Sequence, residues 1–197
     1  RPMTVSTKST EYPQIFFPPG GLMIWIFILM ELLVFFIAFV LYFAVQSENY
    51  QLFNRSQAEL GHNLALINTL ILITSGYLVV LANHQYLAKN LLRSIRLFQG
   101  ATALGIGFVV IKIVEYSQKI SQGLTTGINA FYDFYWTLTV FHLAHVVAGI
   151  ILLLFIIFKL KRGGHFLDDD FGVETVSSFW HMCDLIWVFL FPIIYLI

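Results

Sequence analysis

Five apolar runs, at roughly 21–45, 64–83, 98–118, 133–159 and 176–197, constrain what this chain can fold into more than any other feature. Each reaches the ~20 residues that a helix needs to cross the hydrocarbon of a bilayer. Where no water can satisfy backbone N–H and C=O groups, such runs become helices, because every bond is then made within the segment. With 58% hydrophobic residues, 11% charged residues and a mean hydropathy of +0.80, little is left over for a soluble module. The reading is an all-α polytopic membrane protein, a single membrane domain over 1–197 with five transmembrane helices in one bundle.

The breaks lie in the connecting segments: Pro18-Pro19-Gly20-Gly21, Ser47 to Gly61, His84 to Arg96, Gln118 to Asn129, and Lys159 to Glu174. They are short, so the helices are expected to pack as near-neighbours. The stretch from Arg1 to Gly21 is polar and Pro-rich and lacks the form of a cleavable signal, so the helices themselves are expected to direct insertion. The formal net charge of zero gives no hint of a nucleic-acid partner and hides an uneven distribution. Lys89, Arg93 and Arg96 lie in the second connection and Lys159, Lys161 and Arg162 in the fourth, whereas the first and third contribute Arg55 and Lys119. Cytoplasmic loops carry the Lys and Arg excess, so the even connections and the N-terminus, with Arg1 and Lys8, are read as cytoplasmic and Ile197 as outside. The aromatic cluster Phe131, Tyr132, Phe134, Tyr135 and Trp136 is then expected at the outer headgroup level.

Small residues repeat at four-residue spacing in Ala101 and Gly105, Ala103 and Gly107, and Ala144 and Ala148, a pattern that lets helix backbones approach closely. The lone Cys183 excludes a disulfide within the chain and is read as a buried, inert thiol. Pro192 frees a carbonyl four residues back, so near the end of the last run that a mild kink suffices.

Ionisable groups inside such runs are costly and need partners. In FGVETVSSFWHMCDLIWVFLFPIIYLI, Trp180, Asp184 and Trp187 share one helical face, which must look into protein, and His181 lies one position aside and three residues before Asp184. At a rise of ~1.5 Å per residue, Glu31 and Asp184 fall at similar depths, as do Lys112 and His145, and Glu115 and His142. Lys112 and Glu115 are three apart on the third run and His142 and His145 three apart on the fourth, so a Lys–Glu–His–His cluster is expected between those helices. It either fastens the two helices or forms part of a proton or ion path. Glu31 stands in an otherwise aromatic and aliphatic run; it is read as a carboxylic acid bonded to Asn68, Thr69 or a backbone carbonyl, or as a proton site.

Redox cofactors fit poorly. A haem held by two histidines needs both imidazoles at one depth, and His181 at ~8 Å and His145 at ~21 Å from the inner surface differ too much. His142 and His145 lack an obvious third ligand for a metal. A di-iron site wants Glu-x-x-His pairs, yet Val34, Gln118 and Ser177 follow Glu31, Glu115 and Glu174 at that spacing. His62, His84 and His165 are read as loop residues. Neither a Gly-rich phosphate loop nor a Ser-His-Asp arrangement occurs. No catalytic, cofactor-binding or metal-binding residue is therefore assigned.

The segments ETVSSFWHMCDLIWVFLFPIIYL, FHLAHVVAGIILL, Glu115-Tyr116 and INTLILITSG, with the intramembrane Glu31, together resemble subunit III of the haem-copper oxidases. That family comprises cytochrome c oxidase and its quinol-oxidising relatives. The joint presence of F-H-x-x-H-V-x-x-G, ending on Gly149, and F-W-H-x-x-D-x-x-W, holding Trp180 and Trp187, makes the resemblance specific over nearly the whole chain. Larger members have seven helices, and this chain looks like the shorter form without the first two. Lys112 stands where many longer members have Gln.

The resemblance implies a non-catalytic subunit with no redox centre of its own, seated on catalytic subunit I among other subunits of a bacterial inner-membrane oxidase. Haem and copper are then expected in the partner, and phospholipids in the helix clefts. It further implies support of proton uptake, and reaction of the Glu31 carboxylate with carbodiimides. An accessory subunit of nitric oxide reductase with the same fold is the first alternative. A proton-coupled transporter or redox-active membrane anchor is the second, although no internal repeat or broken mid-membrane helix supports transport.

Overall fold

The computed structural model describes residues 20–162 and 171–197. Six helices account for them: α1 (Leu22–Glu48), α2 (Tyr50–Ala58), α3 (His62–Leu87), α4 (Leu91–Ser121), α5 (Ala130–Lys161) and α6 (Phe171–Tyr195). All but α2 are long and apolar enough to span a membrane. The spanning helices outrun the apolar stretches that announce them. α4 begins seven residues before 98 because Arg93 and Arg96 ride on its first two turns, where polar side chains leave the hydrocarbon without ending the helix. The connection read as His84 to Arg96 shrinks to Ala88–Asn90. His62 opens α3 and His84 lies in its last turn, both exposed, so neither is a loop residue as expected; His165 lies outside the described residues. Arg1 and Lys8 also lie outside them.

α3 and α4, and α4 and α5, are antiparallel neighbours as their short connections require, whereas α1 and α3, joined through α2, do not touch and so depart from the expected near-neighbour packing. α3 and α4 form the tightest pair, where Ser75 donates to the Ala101 carbonyl at 2.8 Å and Asn68 to that of Phe108 at 3.4 Å. α5 packs on α4, and α6 fills the centre against α3 and α5. α1 lies outside, touching α5 and α6 but not α3 or α4. Only 11% of its most apolar window is buried, against 61% for α6, which fixes α1 as the peripheral helix.

Helix ends are tied by side chains. Asn129 caps α5 by accepting from the Tyr132 N–H at 3.0 Å, with Asp133 in the first turn and Lys159 and Lys161 in the last, matching the helix dipole. Gly20, at φ +79°, donates its N–H to Glu174 at 3.2 Å and accepts from the Thr175 hydroxyl, latching the entry of α1 to the start of α6. A Cβ there would lie 3.0 Å from the Thr175 backbone, so the latch favours glycine twice over.

The segment from Ser47 to Gly61, read as a connection, contains α2. Phe53 anchors it edge-on to Tyr42 and Phe131 at 5.3 and 5.6 Å. Gln57 donates to the Ile194 carbonyl and Gln46 to that of Ile197, at 3.2 and 3.3 Å, satisfying oxygens that the end of α6 leaves free. Of the small-residue pairs, Ala101 and Gly105 are buried at a helix contact, whereas Ala103, Ala144 and Ala148 are exposed. Ala144 and Ala148 line a lateral cavity of about 440 Å³ with Phe27 and Phe179. Within the aromatic cluster expected at headgroup level, Phe131, Tyr132 and Tyr135 are fully buried against neighbouring helices.

Candidate functional site

Lys112 and Glu115 sit on one face of α4, as their spacing of three requires, with Nζ 3.1 Å from Oε2 and both side chains essentially inaccessible. A buried ion pair is tolerated only when its remaining donors and acceptors are met. Here two tyrosines meet them. Lys112 donates to the Tyr195 hydroxyl at 2.7 Å, and the phenols of Tyr195 and Tyr135 both donate to Oε1 of Glu115. Four rings crowd the ammonium, Trp187 nearest at 4.9 Å and Tyr135 farthest at 5.7 Å, adding cation–π attraction in a desolvated place. One carboxylate thus joins α4, α5 and α6.

The cluster expected from depth alone is only half assembled. No hydrogen bond joins Glu115 to His142, whose ring nitrogens make none within the described protein. His142 instead stacks on Trp187, centroids 5.2 Å apart, with Phe35 and Phe108 edge-on to it. Trp187 in turn donates to the Thr69 hydroxyl at 2.9 Å and meets Phe108 edge-on at 4.9 Å, so α6 is keyed to α3, α4 and α5 at this level.

His145, placed by depth beside Lys112, points the other way. Its Nε2 lies 3.2 Å from Oε2 of Glu31 and its Nδ1 2.8 Å from the Phe141 carbonyl. Glu31 is therefore partnered by an imidazole of α5 rather than by Asn68, Thr69 or a backbone carbonyl. Asn68 and Thr69 are occupied within the α3–α4 and α3–α6 contacts. Both members of the Glu31–His145 pair are largely covered, at 19% and 11% side-chain exposure.

His181 and Asp184 pair through Nδ1 and Oδ2 at 3.5 Å. They are not equally interior: the Asp184 side chain is 14% exposed, but His181 at 39% looks into a groove between α1 and α6. The one-position offset of His181 from the inward face turns its side chain by about 100°, which takes it to the edge of the bundle. Oδ2 of Asp184 presses on Gly76 of α3 so closely that any Cβ there would collide with it. Trp180, fully buried, lies between two bare backbones. A Cβ on Gly105 would stand 2.6 Å from its Cη2, and one on Gly149 2.8 Å from its Cε3. Glycine on both α4 and α5 is what seats the indole.

Sequence reasoning read Tyr135 as a headgroup-level residue and gave Tyr195 no role, so it missed both as partners of Glu115. Each is a tyrosine at a helix end, the position where a headgroup anchor is expected, and depth alone does not distinguish an anchor from an inward donor. Among the described residues no three of His, Cys, Asp and Glu converge as a metal site would require.

Comparison with known proteins bears on this architecture directly. The family described as Cytochrome c oxidase subunit III matches residues 20–197, which takes in every paired polar group above. The chain belongs to that family. Among curated members, Cytochrome c oxidase subunit 3 of Rhipicephalus sanguineus is 33% identical over 135 residues, covering 67% of this chain and 50% of that protein. The protein of the same name from Synechocystis sp. is 33% identical over 133 residues, covering 66% and 55%. Quinol oxidase subunit 3 of Bacillus spizizenii is 29% identical over 179 residues, covering 87% and 84%. The chain spans about half the length of the first two relatives and most of the third. Within this subunit III member, the Lys112–Glu115 pair with its two tyrosines, the Trp187 hydrogen bond and the packing of Trp180 each tie two or three helices together.

Proposed function

We propose that this chain is the non-catalytic third subunit of a haem-copper terminal oxidase in aerobic electron transport. The observation that carries the reading is the family match across residues 20–197. The chain stabilises the catalytic subunit, whose haem and copper perform the chemistry, and it orders phospholipids against its own flank. It resides in a bacterial inner membrane with its N-terminus cytoplasmic and Ile197 outside. The bias of Lys89, Arg93, Arg96, Lys159 and Lys161 to one end of the bundle supports that orientation.

The geometry supports a stabilising role more than a proton-conducting one. Glu115 is satisfied by Lys112, Tyr135 and Tyr195, and Glu31 is paired with His145 through the ring nitrogen facing it. These groups hold helices α1, α4, α5 and α6 in register. The peripheral α1 leaves an extended apolar face, including Leu29, Leu33, Phe36 and Val40, suited to lipid or a partner helix.

Pulling the assembled complex from membranes through a tag on this chain, then recording its visible spectrum, tests the assignment. Co-purification of a subunit carrying haem a or haem o is the expected result. Haem b accompanied by non-haem iron would move the chain to nitric oxide reductase, and a complex without haem would contradict the proposal.

A further inference from the structure

The turn between α3 and α4 carries a cavity of about 590 Å³ lined by Lys89, Asn90, Leu91, Leu92, Arg93 and Arg96. Three residues reverse the chain there. The N–H of Lys89 bonds the Tyr86 carbonyl and that of Asn90 the Gln85 carbonyl, both at 2.9 Å, and Lys89 takes φ 60°, in the left-handed region that non-glycine residues rarely enter. The tight reversal brings Lys89 up to the start of α4, where Arg93 and Arg96, three residues apart, share one face of the helix. All three side chains are exposed, none joins an ion pair among the described residues, and no carboxylate lines the cavity. Leu92, 75% exposed, lines it, and Leu87, 53% exposed, closes α3 two residues before Lys89. The turn joins two spanning helices, so the cavity stands where hydrocarbon meets headgroups.

A topological bias toward Lys and Arg explains why cations occur at this end of the bundle. It does not explain why three of them border one cavity with no counter-charge. We propose that this cavity binds the phosphate diester of an anionic phospholipid headgroup, with Leu87 and Leu92 against the upper part of its acyl chains. Charge complementarity selects the occupant: a zwitterionic lipid would bring its own ammonium among three cations, whereas an anionic headgroup neutralises part of their repulsion. The site deepens the lipid-ordering part of the proposed function. It rests on the membrane placement alone and can fail while the oxidase assignment stands.

The test uses the intact complex in bilayers containing a photoactivatable phosphatidylglycerol or phosphatidylcholine, with cross-links mapped by peptide. The phosphatidylglycerol probe should label residues 88–97 in preference to the phosphatidylcholine probe by on the order of tenfold. Unlabelled phosphatidylglycerol should suppress that labelling, and a large excess of inorganic phosphate should not. In Arg93→Gln/Arg96→Gln the labelling should fall by a similar factor, while Lys159→Gln/Lys161→Gln, which removes the same charge at the end of α5, should leave it intact. Equal labelling by the two lipids, full competition by free phosphate, or equal loss in the α5 variant would overturn the site. Should the α4 variant fail to assemble, the two-lipid comparison and the competition on the unaltered complex decide the matter by themselves.

Discussion

Removing one half of the Lys112–Glu115 pair should cost more than removing both. With Glu115→Leu, the ammonium keeps only the Tyr195 oxygen and the aromatic rings, and two phenols lose their acceptor. Breaking a buried pair in this way typically costs about 3–5 kcal/mol. Lys112→Met leaves the carboxylate its two phenol donors and should be milder. Lys112→Met/Glu115→Leu, which leaves neither charge behind, should recover most of the loss, as read from thermal unfolding of the chain in detergent. A double variant no more stable than Glu115→Leu would contradict this account of the pair. The pair itself was legible in the sequence because a spacing of three on one helix fixes azimuth as well as depth. Partners on other helices were not, since depth along the membrane normal leaves rotation about each helix free. That is why His145 was assigned to Lys112 but meets Glu31, and why Tyr135 was read as a headgroup residue and Tyr195 was given no partner.

Among elements, α6 depends most on backbone that carries no side chain. Trp180 is wedged against Gly105 of α4 and Gly149 of α5, so Gly149→Ala forces the indole out of its seat. Overpacking of this kind costs about 1–3 kcal/mol. Gly149→Ala should lower the unfolding midpoint in detergent, and pairing it with Trp180→Leu should restore part of what the alanine removes. If Gly149→Ala proved neutral, the close approach of α5 and α6 would have to be looser than described. The existence of all five spanning helices followed from the apolar runs, because length and hydropathy alone decide them. Their ends did not, because Arg93 and Arg96 continue α4 beyond the apolar stretch. α2 escaped notice for a different reason. It has nine residues and one large buried side chain, Phe53, so its periodicity is too slight to read, and its place is set by docking onto Tyr42 and Phe131.

For the molecule as a whole, the family could be read from two motifs whose residues are now seen to be packing devices. His142 and Gly149 in one, and Trp180, Asp184 and Trp187 in the other, lie at contacts between α6 and its neighbours. The central claim is that the chain protects an active site located in its partner. In the proposed assembly, covering an apolar flank would keep rearrangement and water away from the partner, and removing the cover would leave that flank to be repacked by lipid. The most direct measurement is turnover of the oxidase with and without this chain, followed over many catalytic cycles at two pH values. The initial rate should survive removal at a substantial fraction of its original value, and activity should then decay faster with each cycle. An immediate fall to near zero would contradict the claim and give the chain a catalytic or proton-delivering role.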